Sequence, residues 1–168
     1  AIRSWMVVWD VNYELKPHLF LGVGGNYVPG DKSATDSELN TFNTLFARPP
    51  FGQTVALNIT NTFNFSPYLR YQNGTRWIVT ARTSLVNRIS AEDGIYTPNM
   101  STLRPVANGA PSTLKDLCSI YALDFNYNVS PHLFNQFEIG FCRAGDYLKE
   151  SGSGKNVVYF ALRNAYRF

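Results

Sequence analysis

The chain has 168 residues, of which 45% are apolar, 15% aromatic and 16% charged, and its formal net charge is +3. So many aromatic residues exclude an intrinsically disordered chain, and so small a positive charge gives no reason to expect a nucleic acid partner. The longest uninterrupted apolar run is the six residues from Val157 to Leu162, whereas a membrane-spanning helix needs about 20. The chain is therefore either a soluble all-β domain or a transmembrane β-barrel.

The first predicted hairpin lies close to the start of the chain. Residues 5–15 alternate between an apolar face, which carries Trp5 and Trp9, and a more polar face. After the turn Lys16-Pro17-His18, residues 19–27 alternate in the same way. Alternation with a period of two is typical of a strand with one apolar and one polar side. These residues therefore predict two antiparallel strands that share an apolar face.

A second predicted hairpin is centred on an Asn-Gly pair. Residues 63–72 and residues 76–88 both alternate between apolar and polar positions, and Asn73-Gly74-Thr75 separates them. An Asn-Gly pair between two alternating runs is a strong indicator of a tight hairpin turn, because both residues tolerate the backbone conformation that such a turn requires. The predicted polar face of this hairpin is rich in arginine.

The third hairpin and a final strand complete the predicted sheet. Residues 117–128 place Leu117 and several aromatic residues on one face, and residues 133–141 return after a short turn. Residues 157–168 form the last alternating run, which ends in Phe168. A terminal strand with an aromatic last residue resembles the signal that the outer-membrane assembly machinery reads.

The lengths of the strands and connections favour an all-β, antiparallel transmembrane β-barrel over a soluble sandwich. The seven predicted strands have about ten to thirteen residues each, whereas strands in soluble proteins usually have about 5–6. Three connections are short, and the others are long: residues 29–61, 89–115 and 145–155. Short periplasmic turns and long extracellular loops are typical of outer-membrane barrels. This layout predicts a periplasmic C-terminus and one domain over residues 1–168.

Seven strands cannot by themselves form a closed bacterial barrel. Single-chain outer-membrane barrels have an even number of strands, and open sheet edges are not tolerated in lipid. We therefore expect these residues to be part of a larger barrel. The missing strands would come either from the same chain upstream or from a second chain.

The predicted polar faces carry charged residues that we expect to line a pore. The candidate arginines are Arg70, Arg82, Arg88, Arg163 and Arg167, and the acids on the same faces are Asp10, Glu14, Asp124 and Glu138. Arginine binds carboxylates through two parallel hydrogen bonds, and arginine rings favour anions in pores. The alternative is that these arginines pair with the acids and only fill the wall. Arg76 lies beside a turn and is expected at the periplasmic rim.

Two cysteines occupy predicted polar positions of the third hairpin. If Asn128 pairs with His132, Cys118 lies directly opposite Cys142, which is compatible with a disulfide in an oxidising compartment. A shift in register would separate the two thiols. Two cysteines without nearby histidines fall short of a zinc site. No acid–base set or dinucleotide motif indicates an enzyme, and no cofactor is expected.

Five segments, in order, resemble the C-terminal part of the alginate-export family of outer-membrane barrels. They are Gly-Asn-Tyr-Val-Pro-Gly-Asp (25–31), Thr-Phe-Asn-Thr-Leu-Phe (41–46), Asp-Gly-Ile-Tyr (93–96), Asp-Tyr-Leu-Lys-Glu-Ser-Gly-Ser-Gly-Lys (146–155) and Tyr-Arg-Phe (166–168). The resemblance implies a barrel of about 18 strands in outer-membrane lipid that passively exports an anionic polysaccharide such as alginate. A general or small-anion porin and a structural barrel subunit are the alternatives.

Overall fold

A computed structural model describes residues 1–33, 35–44, 57–106 and 112–168. Seven strands form one antiparallel sheet, and two short strands and one short helix lie in the connections. The elements are β1 (Val7–Lys16), β2 (Leu19–Val28), β3 (Thr62–Asn73), β4 (Trp77–Arg88), β5 (Ile95–Tyr96), β6 (Thr102–Arg104), β7 (Asp116–Asn128), β8 (Leu133–Ala144), α1 (Asp146–Ser151) and β9 (Val157–Tyr166). The predicted seven-stranded, antiparallel, all-β fold is confirmed.

The sheet is an open one, with the order β1-β2-β3-β4-β7-β8-β9. The edge strands β1 and β9 each have a single neighbour, so the sheet does not close on itself. Gly74 adopts a φ of 53°, in agreement with the predicted Asn73-Gly74 turn. In the described ranges, no helix is both long and apolar enough to cross a membrane.

The two faces of the sheet have the opposite burial to that of a soluble protein. Large apolar side chains on one face are exposed, for example Leu69 at 44% and Phe125 at 40%. Polar side chains on the other face are buried, for example Asn64 at 5% and Ser84 at 1%. Registered neighbours such as Leu69 and Leu21 share the apolar face, so the face is continuous across strands.

The long connections fold over the polar face at the strand ends that they join. A small hydrophobic core forms there: Leu57, Val86, Ile95, Leu117, Cys118, Ile120 and Tyr147 are all buried. Strands β5 and β6 and helix α1, which the sequence did not predict, belong to this layer. Leu117 was predicted on the apolar face, and this is wrong. The register shifts between Val86 and Asn87 where β4 meets β7, and Leu117 is fully buried.

Candidate functional site

Two arginines from adjacent strands share one tyrosine ring in the middle of the polar face. The guanidinium carbon of Arg82 lies 5.3 Å from the centroid of the Tyr68 ring, and that of Arg70 lies 5.9 Å from the same centroid. Arg70 also lies 4.9 Å from the centroid of Phe20. The two guanidinium groups are therefore held mainly by aromatic faces, an arrangement that attracts cations electrostatically.

Neither of these two arginines takes part in the ion pairs found among the described residues. The ion pairs there are Arg3 with Glu38 and Lys149 with Asp146, and both are at the surface. The Nε atoms of Arg70 and Arg82 are buried without a hydrogen-bond partner. Aromatic contacts, and not direct ion pairs, are therefore the main contacts that the structure shows for these two guanidinium groups.

The predicted acids lie near the arginines but are engaged by polar neighbours. Asp124 accepts hydrogen bonds from Asn126 and from Gln136 Nε2, the latter at 2.8 Å. Glu138, which is 3% exposed, accepts a hydrogen bond at 3.2 Å from the hydroxyl of Tyr159. Asp124, Glu138 and Arg82 line one depression of about 270 Å³. The structure therefore brings both predicted acids together with Arg82.

Asp10, on the edge strand β1, lies on the other side of Arg82. Its Oδ1 accepts a hydrogen bond from the Tyr68 hydroxyl at 2.6 Å. Asp10 and Arg82 line a second depression, of about 340 Å³. Arg82 therefore has Asp10 on one side and Asp124 with Glu138 on the other. Each of these acids accepts hydrogen bonds from hydroxyl or amide donors.

Of three further arginines named from the sequence, one lies on the polar face within a strand and two lie beside short turns. Arg163 is exposed and lies opposite Gln136 in the pairing of β8 with β9. Arg167 follows β9, and its backbone is hydrogen-bonded to His132 beside the turn that joins β7 to β8. Arg76 is exposed, and its Nη2 lies 3.4 Å from the hydroxyl of Tyr127. Only Arg163 of these three lies on the polar face within a strand.

Arg88 is held beneath the long connections. It is 2% exposed, and its guanidinium lies 4.0 Å from the centroid of Tyr147. It donates hydrogen bonds to the carbonyl oxygens of Leu114, at 2.7 Å, and of Ser112. Its donors therefore anchor the segment around residues 112–114 and are not free to bind a ligand. Arg88 was predicted to line a pore, but the structure shows it as an anchor of this segment.

The predicted register of the third hairpin is wrong by two residues. Asn128 pairs with Phe134 instead of His132, because the turn is closed by a hydrogen bond from Val129 N to the carbonyl oxygen of Leu133. Cys142 consequently lies opposite Ile120, and Cys118 lies opposite Ala144.

Both cysteines are free thiols on the polar face. They are diagonal to one another and not directly opposite, but their thiols lie within hydrogen-bonding reach of each other, and the disulfide stays a prediction.

A carboxylate that the sequence did not single out as a structural residue organises the long connections. Asp93 is 4% exposed and accepts four hydrogen bonds. Its Oδ2 accepts from Asp31 N and Thr41 Oγ1, each at 2.8 Å. Its Oδ1 accepts from Gly94 N at 2.7 Å and from the Tyr96 hydroxyl at 2.6 Å. Burial is the main cause that raises the pKa of Tyr96 above its ordinary value, and the hydrogen bond to Asp93 raises this pKa further.

Asn61, which directly precedes β3, is hydrogen-bonded to the segment that contains Asp93. It is fully buried and has a φ of 56°, a left-handed conformation that asparagine tolerates better than most residues. Its Nδ2 donates to the carbonyl oxygens of Ser90 and Asp93, at 3.0 and 3.2 Å. Its Oδ1 accepts from Ser90 N at 2.7 Å. The connections therefore form one hydrogen-bonded layer above the polar face.

The described residues contain no group of three or more His, Cys, Asp or Glu that is placed to hold a metal ion. Comparison with known proteins adds two findings. No curated protein matches the chain at a significant level. A family model described as alginate export matches residues 1–160, which is nearly the whole chain and agrees with the resemblance carried by the five sequence segments. The chain therefore belongs to the alginate-export family, an outer-membrane transport family.

Proposed function

We propose that this chain forms part of the wall of a transmembrane β-barrel through which an anionic polysaccharide, of the alginate-like polyuronate class, passively crosses the outer membrane. The apolar face contacts lipid and the polar face lines the lumen. The exposed apolar belt and the buried polar face support this assignment, because only a surface in hydrocarbon gains from such a distribution.

We infer an anionic substrate mainly from the placement of Arg70 and Arg82. Neither takes part in the ion pairs found among the described residues, and both stand on the polar face within strands, Arg82 near the middle of β4. A polyuronate presents one carboxylate per sugar ring, and arginine matches carboxylate geometry with two parallel hydrogen bonds. Arg163 provides a further cation on the same face. Sites that are separated along the wall allow the chain to pass from one to the next.

Further strands must close the sheet in this proposal. The unpaired edges of β1 and β9 expose backbone groups that hydrocarbon does not tolerate, so strands from the same chain or from a second chain pair with them. The short turns lie in the periplasm together with the C-terminus, and the assembly machinery recognises the last strand. Electrophoresis of the purified outer-membrane protein tests closure: a heat-modifiable species near 19 kDa, the mass of these residues alone, would contradict it.

Planar-bilayer conductance of the intact protein tests the anion path. We expect anion selectivity and current block by polyuronate, and we expect Arg82→Glu and Arg163→Glu to lower both. Arg76→Glu is the control, because Arg76 stands beside a turn. Anion selectivity without polyuronate block would instead indicate a general or small-anion porin. Absence of conductance would indicate a structural barrel, whose lumen the layer of connections over the polar face would fill.

A further inference from the structure

The ring of Tyr68 occupies a notch in the wall. A Cβ atom added to Gly22, on the neighbouring strand β2, would overlap the Tyr68 ring, including its hydroxyl end. The ring therefore lies where a side chain of residue 22 would otherwise be, and Tyr68 is only 4% exposed. A ring packed so closely against backbone has little freedom to move.

This fixed ring contacts the two arginines on which the proposed anion path depends. Arg82 lies 5.3 Å and Arg70 lies 5.9 Å from its centroid. Stacking on an aromatic face restrains a guanidinium without using its terminal N–H groups. Those groups stay available for a carboxylate, which binds in the plane of the guanidinium.

The hydroxyl of the same tyrosine engages an acid. It donates to Asp10 Oδ1 at 2.6 Å, and Asp10 shares a depression with Arg82. A carboxylate there competes with a substrate carboxylate for the arginine. The hydrogen bond from Tyr68 holds Asp10 on the β1 side of that depression and so lowers the competition.

A second tyrosine on the same face repeats two of these features. The ring of Tyr159 also lies over a glycine, Gly140, and its hydroxyl also donates a hydrogen bond to a carboxylate, that of Glu138. Packing over a glycine and a hydroxyl–carboxylate hydrogen bond are thus common to both tyrosines.

We infer that Tyr68 is the positioning residue of the anion path: its ring sets the orientation of Arg70 and Arg82, and its hydroxyl keeps Asp10 from neutralising Arg82. This inference rests on the proposed function and names a residue that positions the arginines of the same site. It makes the selectivity of the lumen depend on an uncharged residue that carries no substrate-binding group.

Single-channel reversal potentials of the intact protein in a salt gradient test the inference, because only folded, inserted channels contribute. We expect Tyr68→Leu to lower the anion-to-cation permeability ratio about two- to fivefold, as loss of a cation–π contact implies. Gly22→Ala, which displaces the ring without removing it, changes the ratio in the same direction. Tyr121→Leu, on the apolar face, is the matched control and leaves the ratio unchanged.

A double-mutant cycle tests the role of the hydroxyl. Tyr68→Phe keeps the ring and releases Asp10, so the ratio falls by less than in Tyr68→Leu. Adding Asp10→Asn restores the ratio in the Phe background and changes it less in the wild type. If Arg82→Gln lowers the ratio while every Tyr68 variant leaves it unchanged, the inference is wrong and the proposed function stands. If Arg82→Gln also has no effect, the proposed function itself fails.

Discussion

The hydroxyl of Thr41 donates a hydrogen bond to Asp93 Oδ2 at 2.8 Å, although 52 residues separate the two along the chain. Asp31 and Tyr96 contact the same carboxylate. Residues from three of the segments that resemble the alginate-export family, at 25–31, 41–46 and 93–96, therefore meet at one side chain; Leu45 and Phe46 of the second segment lie outside the described residues. Their common feature is structural, since together they build the layer above the polar face.

Replacing Asp93 by Asn should loosen this layer. The amide has one oxygen and two N–H groups in place of two acceptor oxygens, so at least one buried donor loses its partner, at a cost of about 1–3 kcal/mol. We expect faster proteolysis and hydrogen exchange in residues 29–33 and 89–97, with unchanged strand content by circular dichroism. Glu92→Gln, the adjacent acid, is the control. Equal protection in the Asp93 and Glu92 variants would refute the role of Asp93.

The layer should also loosen at high pH. Burial and Asp93 raise the pKa of Tyr96 above its ordinary value near 10, so the closed layer keeps the hydroxyl protonated. In an opened state the hydroxyl ionises at its ordinary pKa. The stabilisation is therefore complete below about pH 10 and decreases as the pH rises above that value. Hydrogen exchange of residues 93–97 across this range measures it, and Tyr96→Phe should remove the part of the pH dependence that belongs to this hydroxyl.

Arg88 should behave as an anchor and not as a pore residue. Arg88→Met leaves the carbonyl oxygens of Leu114 and Ser112 without their donor, at a cost of about 1–3 kcal/mol. We expect lower thermal stability of the detergent-solubilised protein with unchanged reversal potential. Arg76→Met, at an exposed arginine, should change neither quantity. If Arg88→Met changed the ion selectivity as much as Arg82→Met, Arg88 would belong to the anion path and this prediction would be wrong.

The two cysteines should be free. Cys118 is fully buried, and its thiol contacts that of Cys142 without being bonded to it, so we expect maleimide to label Cys118 only after unfolding and without prior reduction. Mass spectrometry of the unreduced peptides reads both sites. If a peptide pair cross-linked through Cys118 and Cys142 were recovered from protein that was alkylated before purification, the disulfide would exist in the protein and this prediction would be wrong.

The strands were predictable because their signal is local. Period-two alternation and the Asn73-Gly74 turn depend on neighbours in sequence, and both are found in the sheet. The face on which each arginine lies is equally local, so Arg82 and Arg163 were placed correctly on the polar face. A position on that face does not reveal whether a distant segment covers it, and for this reason the anchoring contacts of Arg88 were missed.

What the sequence could not provide depends on distant contacts or on the details of a turn. The structural role of Asp93 was not predicted, because two of its four donors come from segments 52 and 62 residues away. The five segments of family resemblance were the one available signal for this layer. Cys118 and Cys142 are diagonal instead of directly opposite because one hydrogen bond, from Val129 to Leu133, determines the register of the whole hairpin.

The tyrosines that lie over Gly22 and Gly140 also have a consequence for space. A tyrosine that stood upright on the wall would project by the length of its side chain into the volume above the sheet. Lying along the wall, it contributes a hydroxyl and an aromatic surface while taking almost none of that clearance. Bulky residues in this stretch of wall are thus compatible with the proposed passage of a hydrated sugar chain.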